Sequence, residues 1–245
     1  EKVMTALAQA GYEVRVLCRT NGENDSELRP LGHCSARSVG GGMKFAFSLP
    51  VPKNPVWRRA IEREIEEFEP DIVIPREIML AEDAARAAHK RGIPVVMDMA
   101  ENYPAAMKSF VKYSKGFANR LLVHRLDVPE LVEKRAVRMM DGIFVVCDEQ
   151  IERLAQSFGY DESKMAVVHN TPPVGFLKEP IHREAKHVIT FGHHGYLSGD
   201  KRIDNLLSGF LIAAETDPDI RLLVAGRGEL LEEYRSIASQ SRFAD

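Results

Sequence analysis

Short apolar runs alternate along most of the chain with segments in which apolar residues recur every three or four positions. The continuous runs predict β-strands, and they lie at 12–18, 71–75, 93–98, 142–147 and 165–168. The segments with the longer period predict amphipathic helices, and they lie at 56–68, 79–91, 129–140 and 149–158. Apolar strands joined by such helices are typical of a parallel sheet covered on both faces. The pattern therefore predicts a doubly wound α/β fold.

A break in this pattern predicts two domains. Thr171 is followed by two prolines, which cannot continue a strand, and the polar residues 176–186 show no periodicity. A strand at 187–192 then restarts the alternation. We place a first domain at 1–175 and the start of a second domain at 176–245.

The two ends of the chain lack elements that such domains need. The sequence opens inside a helix that Gly11 ends, whereas an α/β domain of this pattern should open with a strand. Only two strands and two helices follow residue 187. We therefore expect parts of both domains to be missing from this sequence.

Composition excludes several classes of protein. The 245 residues carry a net charge of −3, which argues against general nucleic-acid binding. No apolar run reaches the ~18 residues of a membrane-spanning helix, and the first residues do not resemble a signal peptide. Cys18, Cys34 and Cys147 are odd in number and widely spaced, which favours a reducing, cytoplasmic setting without disulfides.

Residues 191–210 give the strongest indication of chemistry. They read as a strand, a turn with glycines at 192, 195 and 199, a Lys201-Arg202 pair, and a helix. Glycines allow close backbone approach, and backbone N–H groups at a helix start beside a cation suit a phosphate. On these residues alone, a solvated polar turn explains the segment equally well.

A second candidate site follows the predicted strand 93–98. Asp98 and Glu101 come at its carboxyl end, which is where open α/β sheets bind ligands. Such carboxylates could accept hydrogen bonds from hydroxyl groups or act as an acid–base pair. The alternative is an Asp that stabilises the turn and a Glu that is merely solvated.

The segment 105–125 contains basic residues and aromatic residues but no acidic ones. An ordinary helix or loop whose aromatic side chains pack inward is the simplest interpretation. Peripheral contact with an anionic membrane is a second interpretation, since each Lys or Arg near the headgroups adds ~1 kcal/mol. A polyanion-binding patch is a third.

Several segments, in their order along the chain, resemble retaining glycosyltransferases of family 4, which have the GT-B fold. These segments are 11–17 (a Gly-His-Glu-Val-like strand), 69–74 (Pro-Asp-Val-Val-like), 135–146, 164–170, and the turn and helix at 191–210. The resemblance implies two Rossmann-like domains that face each other across a cleft, the second only partly present here. It also implies transfer of a sugar from a nucleotide-diphosphate sugar to an acceptor hydroxyl, with retention of configuration, in polysaccharide or glycoconjugate synthesis.

The resemblance assigns the donor site to the second domain. Lys201 would balance the diphosphate charge as the sugar leaves. Many relatives have an Arg one residue after the turn glycine, where this chain has Tyr196, so Arg202 or Arg227 would compensate. The donor-binding residues implied in this way are Asn170, Gly195, Tyr196, Lys201, Arg202, Gly226, Arg227 and Gly228.

The resemblance assigns the acceptor side to the residues after strand 93–98. Asp98 and Glu101 would be catalytic, and Asn102 and Tyr103 would bind the acceptor. Ala100 stands where relatives often have Arg or His, which is a departure from the catalytic pattern.

No cofactor is expected apart from the nucleotide-sugar substrate, and no metal site is expected. Adjacent His193 and His194 would point to opposite sides of a strand, and no Asp-x-Asp pair follows strand 93–98. The expected partners are the donor and a glycan or lipid-linked acceptor, with peripheral membrane contact through 105–125 as an option. Two alternatives stay open: a GT-B sugar-nucleotide epimerase, and a non-catalytic relative that serves as a scaffold.

Overall fold

The computed structural model describes residues 2–19, 34–39, 52–109, 116–117, 120–171 and 187–243. The chain divides into two compact units. Unit 1 comprises Glu1–Lys108 and Phe117–Phe176, and unit 2 comprises Ser109–Gly116 and Leu177–Asp245. The predicted break at 172–186 and the glycines at 40–42 lie outside the described residues.

Unit 1 begins with a helix and a pair of parallel strands. Helix α1 spans Lys2–Gln9, and strands β1 (Val14–Cys18) and β2 (Cys34–Ser38) pair in parallel over five residues. Helix α1 and strand β1 match the predicted pattern. Strand β2 was not predicted, because its sequence Cys-Ser-Ala-Arg-Ser shows neither an apolar run nor apolar alternation.

The main sheet of unit 1 is parallel, as the sequence predicts. Strands β3 (Val96–Met99), β4 (Gly142–Val145) and β5 (Met165–Val167) lie in the order β3-β4-β5. The predicted strand at 71–75 is wrong as a full strand, because only two isolated parallel bridges join this segment to β3, Val73 to Val95 and Arg76 to Asp98. Pro75 lacks the N–H group that a continuous ladder would need.

Amphipathic helices cover this sheet. Helix α2 begins after Asn54, whose side-chain Oδ1 accepts a hydrogen bond from the Val56 N–H at 2.8 Å and so caps the helix. The helices of unit 1 are α2 (Pro55–Phe68), α3 (Ala81–His89), α4 (Tyr103–Ser109), a π-helical turn (Arg120–Arg125), α5 (Val128–Arg138), α6 (Asp148–Phe158) and a 3₁₀ turn (Glu162–Lys164).

The core of unit 1 lies between the sheet and the apolar faces of these helices. Met97 and Met99 on β3, and Ile143 and Val145 on β4, are fully buried in one cluster. The helices contribute apolar side chains from one face each, such as Leu154 of α6. Burial alternates along β3 and β4, and Asp98 is at one of the partly exposed positions of β3.

Unit 2 is built from two strands and two helices in the described residues. Strands β6 (Ile189–Tyr196) and β7 (Ile220–Arg227) pair in parallel over eight residues. They are joined through a 3₁₀ turn (Gly199–Lys201) and helix α7 (Ile203–Ala214), and helix α8 (Leu231–Gln240) follows β7. Leu197, Ile203, Leu207 and Tyr234 form the core of this unit. The predicted order of strand, turn and helix is confirmed, but the predicted strand end at 192 is wrong. Strand β6 continues to Tyr196, so Gly192 and Gly195 lie within the strand and only Gly199 lies in the turn.

None of the helices in the described part of the chain combines the length and the apolar character that crossing a membrane requires. The segment 105–125 contains the end of α4 and the π-helical turn, whereas residues 110–115 and 118–119 lie outside the described residues.

Candidate functional site

Asp98 lies at the carboxyl end of β3, as the sequence predicts. Its carboxylate Oδ2 accepts a hydrogen bond from Arg76 Nη1 at 2.8 Å, and its side chain is 15% exposed against 61% for that of Arg76. The two residues are also bridge partners in the backbone ladder. The ion pair therefore fixes the Asp98 carboxylate at the sheet edge while leaving the guanidinium open to solvent.

Glu77, which the sequence analysis did not select, lies beside Asp98. Its backbone N–H donates to the Asp98 carbonyl oxygen at 3.0 Å, and its Oε1 accepts from the Ala100 N–H at 3.2 Å. Glu77 thereby contacts the loop after β3 at two points. Its φ of 63° is in the left-handed region, which is uncommon for a residue with a side chain.

The other carboxyl oxygen of Glu77 has no partner. Oε2 is buried and has no hydrogen bond among the described residues. Burial raises the pKa of Glu77 to about 7, with the nearby carboxylates of Glu101 and Asp98 acting in the same direction. The Ala100 N–H and the charge of Arg76 oppose this rise. The group therefore changes charge close to neutral pH.

The remaining predicted acceptor residues differ in their surroundings. Glu101 is exposed and lies close enough to Glu77 to affect its charge. Asn102 caps helix α4, because its Oδ1 accepts from the Ala105 N–H at 3.1 Å. Tyr103 packs against the core of unit 1. The structure thus gathers Asp98, Glu101 and Glu77 at one edge, and it gives Asn102 and Tyr103 contacts that also have a structural role.

A buried ion pair supports this edge from the helices behind it. Glu133 of α5 is completely buried, and its two carboxylate oxygens accept from Arg153 Nη1 and Nη2 of α6 at 2.8 and 2.9 Å. Arg153 Nη2 also lies 3.9 Å from the sulfur of Met99, the residue after Asp98. The bidentate pair joins two helices directly beneath the end of β3.

The predicted donor residues of unit 2 lie at the carboxyl ends of two neighbouring strands. Gly195 pairs with Gly226, and Tyr196 pairs with Arg227, in the register of β6 and β7. Tyr196 is 53% exposed. The structure thus brings these four residues together at the sheet edge where α/β folds bind ligands.

The glycines at this edge also have a steric reason to be there. A Cβ atom at Gly226 would overlap the carbonyl oxygen of Gly195, and one at Gly228 would overlap that of Leu197. The Leu197 N–H donates to the Arg227 carbonyl oxygen at 2.9 Å, so the two backbones approach closely. The Gly-x-Gly pattern is therefore required by packing whether or not it contacts a phosphate.

The two cations before helix α7 differ. Lys201 ends the 3₁₀ turn and is exposed. Arg202 has a φ of 50°, and its guanidinium donates to the Asp204 carboxylate at 3.0–3.3 Å and to the Asn205 Oδ1 at 2.9 Å. The charge of Arg202 is therefore balanced by a neighbouring carboxylate.

Two further predictions concern residues outside these clusters. Asn170 follows β5 in unit 1, where it is exposed, whereas the other predicted donor residues belong to unit 2. Within the described ranges, no three His, Cys, Asp or Glu side chains are grouped in a way that could hold a metal ion.

Parallel sheets in both units, with the predicted site residues at the carboxyl ends of their strands, are typical of an α/β protein of the GT-B type. A family model described as a glycosyl transferase 4-like domain matches residues 1–171. The chain therefore belongs to the glycosyl transferase 4-like domain family. It matches no curated protein in sequence.

The solved structure of one galactosyltransferase supports this fold. The apo form of the lipopolysaccharide outer core galactosyltransferase WaaB matches with a TM-score of 0.56 and 14% identity, over 94% of this chain and 65% of WaaB. TarM matches with a TM-score of 0.46 and 15% identity, over 74% of this chain and 33% of TarM. MnaA of S. aureus, in a structure with UDP, matches with a TM-score of 0.47 and 13% identity, over 94% of this chain and 67% of MnaA. This chain thus spans a third of TarM and about two thirds of WaaB.

Proposed function

We propose that this protein transfers a sugar from a nucleoside-diphosphate sugar to a hydroxyl group of an acceptor. The observation that carries the proposal is the cluster of Asp98, Glu101 and Glu77 at the carboxyl edge of the sheet in a chain of the glycosyl transferase 4-like domain family. Carboxylates are the groups that proteins use to accept hydrogen bonds from hydroxyls. The chemistry of this edge therefore suits a polyhydroxyl acceptor.

The donor half of the proposal rests on unit 2. Gly195, Tyr196, Gly226 and Arg227 line the ends of β6 and β7, and Lys201 lies in the turn that leads into helix α7. A cation beside backbone N–H groups stabilises the negative charge that develops on a leaving diphosphate. We assign this role to Lys201, with Gly228 and Asn170 as further contacts to the donor.

The finer features of the reaction are also proposed. Retention of configuration and a place in polysaccharide or glycoconjugate synthesis follow from the resemblance to family 4. Metal-independent transfer is favoured because Asp98 and Glu101 do not form an Asp-x-Asp pair. The anomeric configuration of the product and the rate after EDTA treatment check these two mechanistic points.

The acceptor is proposed to be a glycan or a lipid-linked glycan. Among the described residues of 105–125, two large apolar side chains are exposed, Phe117 at 83% and Leu122 at 46%, and Arg120 and Arg125 lie close to the second of them in sequence. Exposed apolar side chains beside cations can contact an anionic membrane surface. Binding of the protein to vesicles that contain anionic lipid, and its absence with zwitterionic vesicles, checks this contact.

A single assay tests the proposal. The full chain is incubated with UDP-, GDP- and ADP-sugars, each with and without a mixture of simple glycosides as acceptors, and the released nucleoside diphosphate is measured. We expect release with one donor class to increase strongly when acceptors are added. Release that does not depend on acceptors, together with a changed sugar in the remaining nucleotide sugar, indicates an epimerase. Failure to bind or turn over any donor indicates the scaffold alternative.

A further inference from the structure

The unpartnered Oε2 of Glu77 needs an explanation. A buried acceptor without a hydrogen bond costs the folded state about 1–3 kcal/mol, and proteins satisfy nearly all such atoms. Oε2 is buried and has no hydrogen-bond partner among the described residues, although Oε1 of the same carboxyl group is satisfied by the Ala100 N–H. One oxygen of a well-anchored carboxyl group at the sheet edge is thus buried without a partner.

The surroundings of Glu77 fix this group in place. The backbone N–H donates to Asp98 and the side chain accepts from Ala100, so both parts of the residue are tied to the loop after β3. The left-handed backbone, with a φ of 63°, is retained although it is unfavourable for glutamate. Strain held in place beside an unpartnered polar atom, at an edge that binds ligands, is typical of a functional position.

The charges that face Glu77 also favour a hydroxyl ligand over other ligands. Asp98 and Glu101 lie near it and repel an anion, and Arg76, the nearby cation, is already paired with Asp98. A neutral hydroxyl that donates a hydrogen bond would satisfy Oε2 without adding charge. An anionic ligand such as a phosphate would instead be repelled by the carboxyl groups of Glu77, Asp98 and Glu101.

We propose that Glu77 binds the acceptor, and that Oε2 of its carboxylate accepts a hydrogen bond from one of the acceptor's hydroxyl groups. This inference rests on the proposed transfer function and adds to it a residue that determines which acceptor is used. Asp98 and Glu101 then share the acceptor site with Glu77, and Arg76 holds Asp98 in position.

The test compares Glu77→Gln with Glu69→Gln in the full chain. Glu69 is a matched control, because it also has a left-handed backbone (φ 50°) but is exposed at the end of helix α2. The acceptors are methyl glycosides of glucose, galactose, mannose and N-acetylglucosamine, followed by the monodeoxy analogues of the best of them. The rates are measured at a saturating concentration of donor and at pH 8, where the Glu77 carboxyl group is ionised.

The proposal predicts that Glu77→Gln raises the KM for the acceptor about 10- to 100-fold, the range for a hydrogen bond to a charged group. It also predicts that one monodeoxy analogue is a poorer acceptor for the wild type but not for Glu77→Gln, because the two changes remove the same hydrogen bond. Glu69→Gln should leave both quantities unchanged.

Two results would overturn the proposal separately from the function it rests on. If the wild type transfers sugar but Glu77→Gln has the same KM for the acceptor, Glu77 does not bind it. If each deoxy analogue is a poorer acceptor by the same factor for the wild type and for the variant, Glu77 acts only through the structure of the loop. If the wild type transfers nothing from any donor, the proposed function itself is contradicted and this inference fails with it. A circular dichroism spectrum like that of the wild type confirms that Glu77→Gln is folded.

Discussion

A carboxyl group with a pKa near 7 affects both folding and ligand binding in the range where most enzymes work. Glu77 owes this pKa to burial and to the carboxylates of Asp98 and Glu101. Its ordinary value is 4.5, so the folded state holds the proton over a pH range in which the unfolded chain has lost it. The proton therefore stabilises the folded state below pH 4.5, and this contribution is lost as the pH rises to about 7.

We predict that Glu77→Gln is stabilised relative to the wild type as the pH rises. Urea unfolding at pH 4.5 and pH 8 checks this. Between these pH values the free energy of unfolding of the variant should rise by about 1–2 kcal/mol relative to that of the wild type, a figure already reduced for screening by solvent. The contributions of all other titrating groups cancel in this difference, because the two proteins share them. A difference that is the same at both pH values would contradict the raised pKa.

Glycines at the edge of unit 2 offer a second test at the level of single residues. Gly226→Ala places a methyl group against the backbone of Gly195, so we expect a loss of about 1–3 kcal/mol in the free energy of unfolding. Gly209 of helix α7 has open space around its Cβ position. Gly209→Ala should therefore increase stability by about 0.5–1 kcal/mol.

Thermal unfolding of the two variants checks this prediction. Opposite shifts in Tm support the close approach of the two strand ends. Equal shifts in Tm would mean that the backbone at Gly226 has room for a side chain, and the Gly-x-Gly pattern would then need another reason.

At the level of elements, helices α5 and α6 are joined by the Glu133–Arg153 pair. Glu133 is fully buried, so removing its partner leaves an uncompensated charge in the core. We predict that Arg153→Ala costs about 3–5 kcal/mol, and that Glu133→Leu combined with Arg153→Met recovers most of this loss. The loop at Asp98 should also become less ordered, since Arg153 contacts Met99.

The exposed pair of Arg235 and Glu232 on helix α8 supplies the control. It also joins an arginine to a glutamate, at 2.7 Å, but both side chains are largely exposed. Arg235→Ala should therefore cost no more than ~1 kcal/mol. Similar losses for the two arginine variants in urea unfolding would show that burial does not govern the strength of these pairs.

The elements also show how far sequence reasoning reaches. Strands β3, β4 and β5 were predictable because each is a short apolar run between amphipathic helices, and Asp98 was predictable because it ends one of these runs. The place of Glu77 at the site was not predictable. Pro75 ends the apolar run before it, and the isolated bridge between Arg76 and Asp98 produces no periodic pattern in the sequence. The one sequence feature that could have indicated it is the pair of charged residues, Arg76 and Glu77, that follows the apolar run ending at Pro75.

For the predicted donor residues, the sequence indicated the positions in the sheet but not the side-chain contacts. The alternation of strands and helices places Gly195 and Gly226 at the same sheet edge, and the register confirms this. The pairing of Arg202 with Asp204 depends on the left-handed backbone at Arg202, which the sequence does not reveal. The ion pair of Arg202 therefore could not be predicted from the sequence.

At the level of the whole molecule, each unit presents its predicted ligand-binding residues at the carboxyl ends of parallel strands. Unit 1 offers carboxylates, which suit hydroxyl groups, and unit 2 offers glycines and a cation, which suit a diphosphate. This division of chemistry between two units is what a transferase with two substrates needs. It also separates the experiments, because donor binding can be measured without knowledge of the acceptor.

Calorimetric titration of the full chain with UDP, GDP and ADP tests the central claim most directly. We compare the wild type with Lys201→Ala and with Arg221→Ala, which removes an exposed cation near the opposite end of strand β7. One nucleoside diphosphate should bind the wild type and Arg221→Ala equally, and Lys201→Ala should bind it at least about tenfold more weakly, as expected for a charge-assisted contact. Binding of none of the three nucleotides, or equal affinity in Lys201→Ala, would contradict the account.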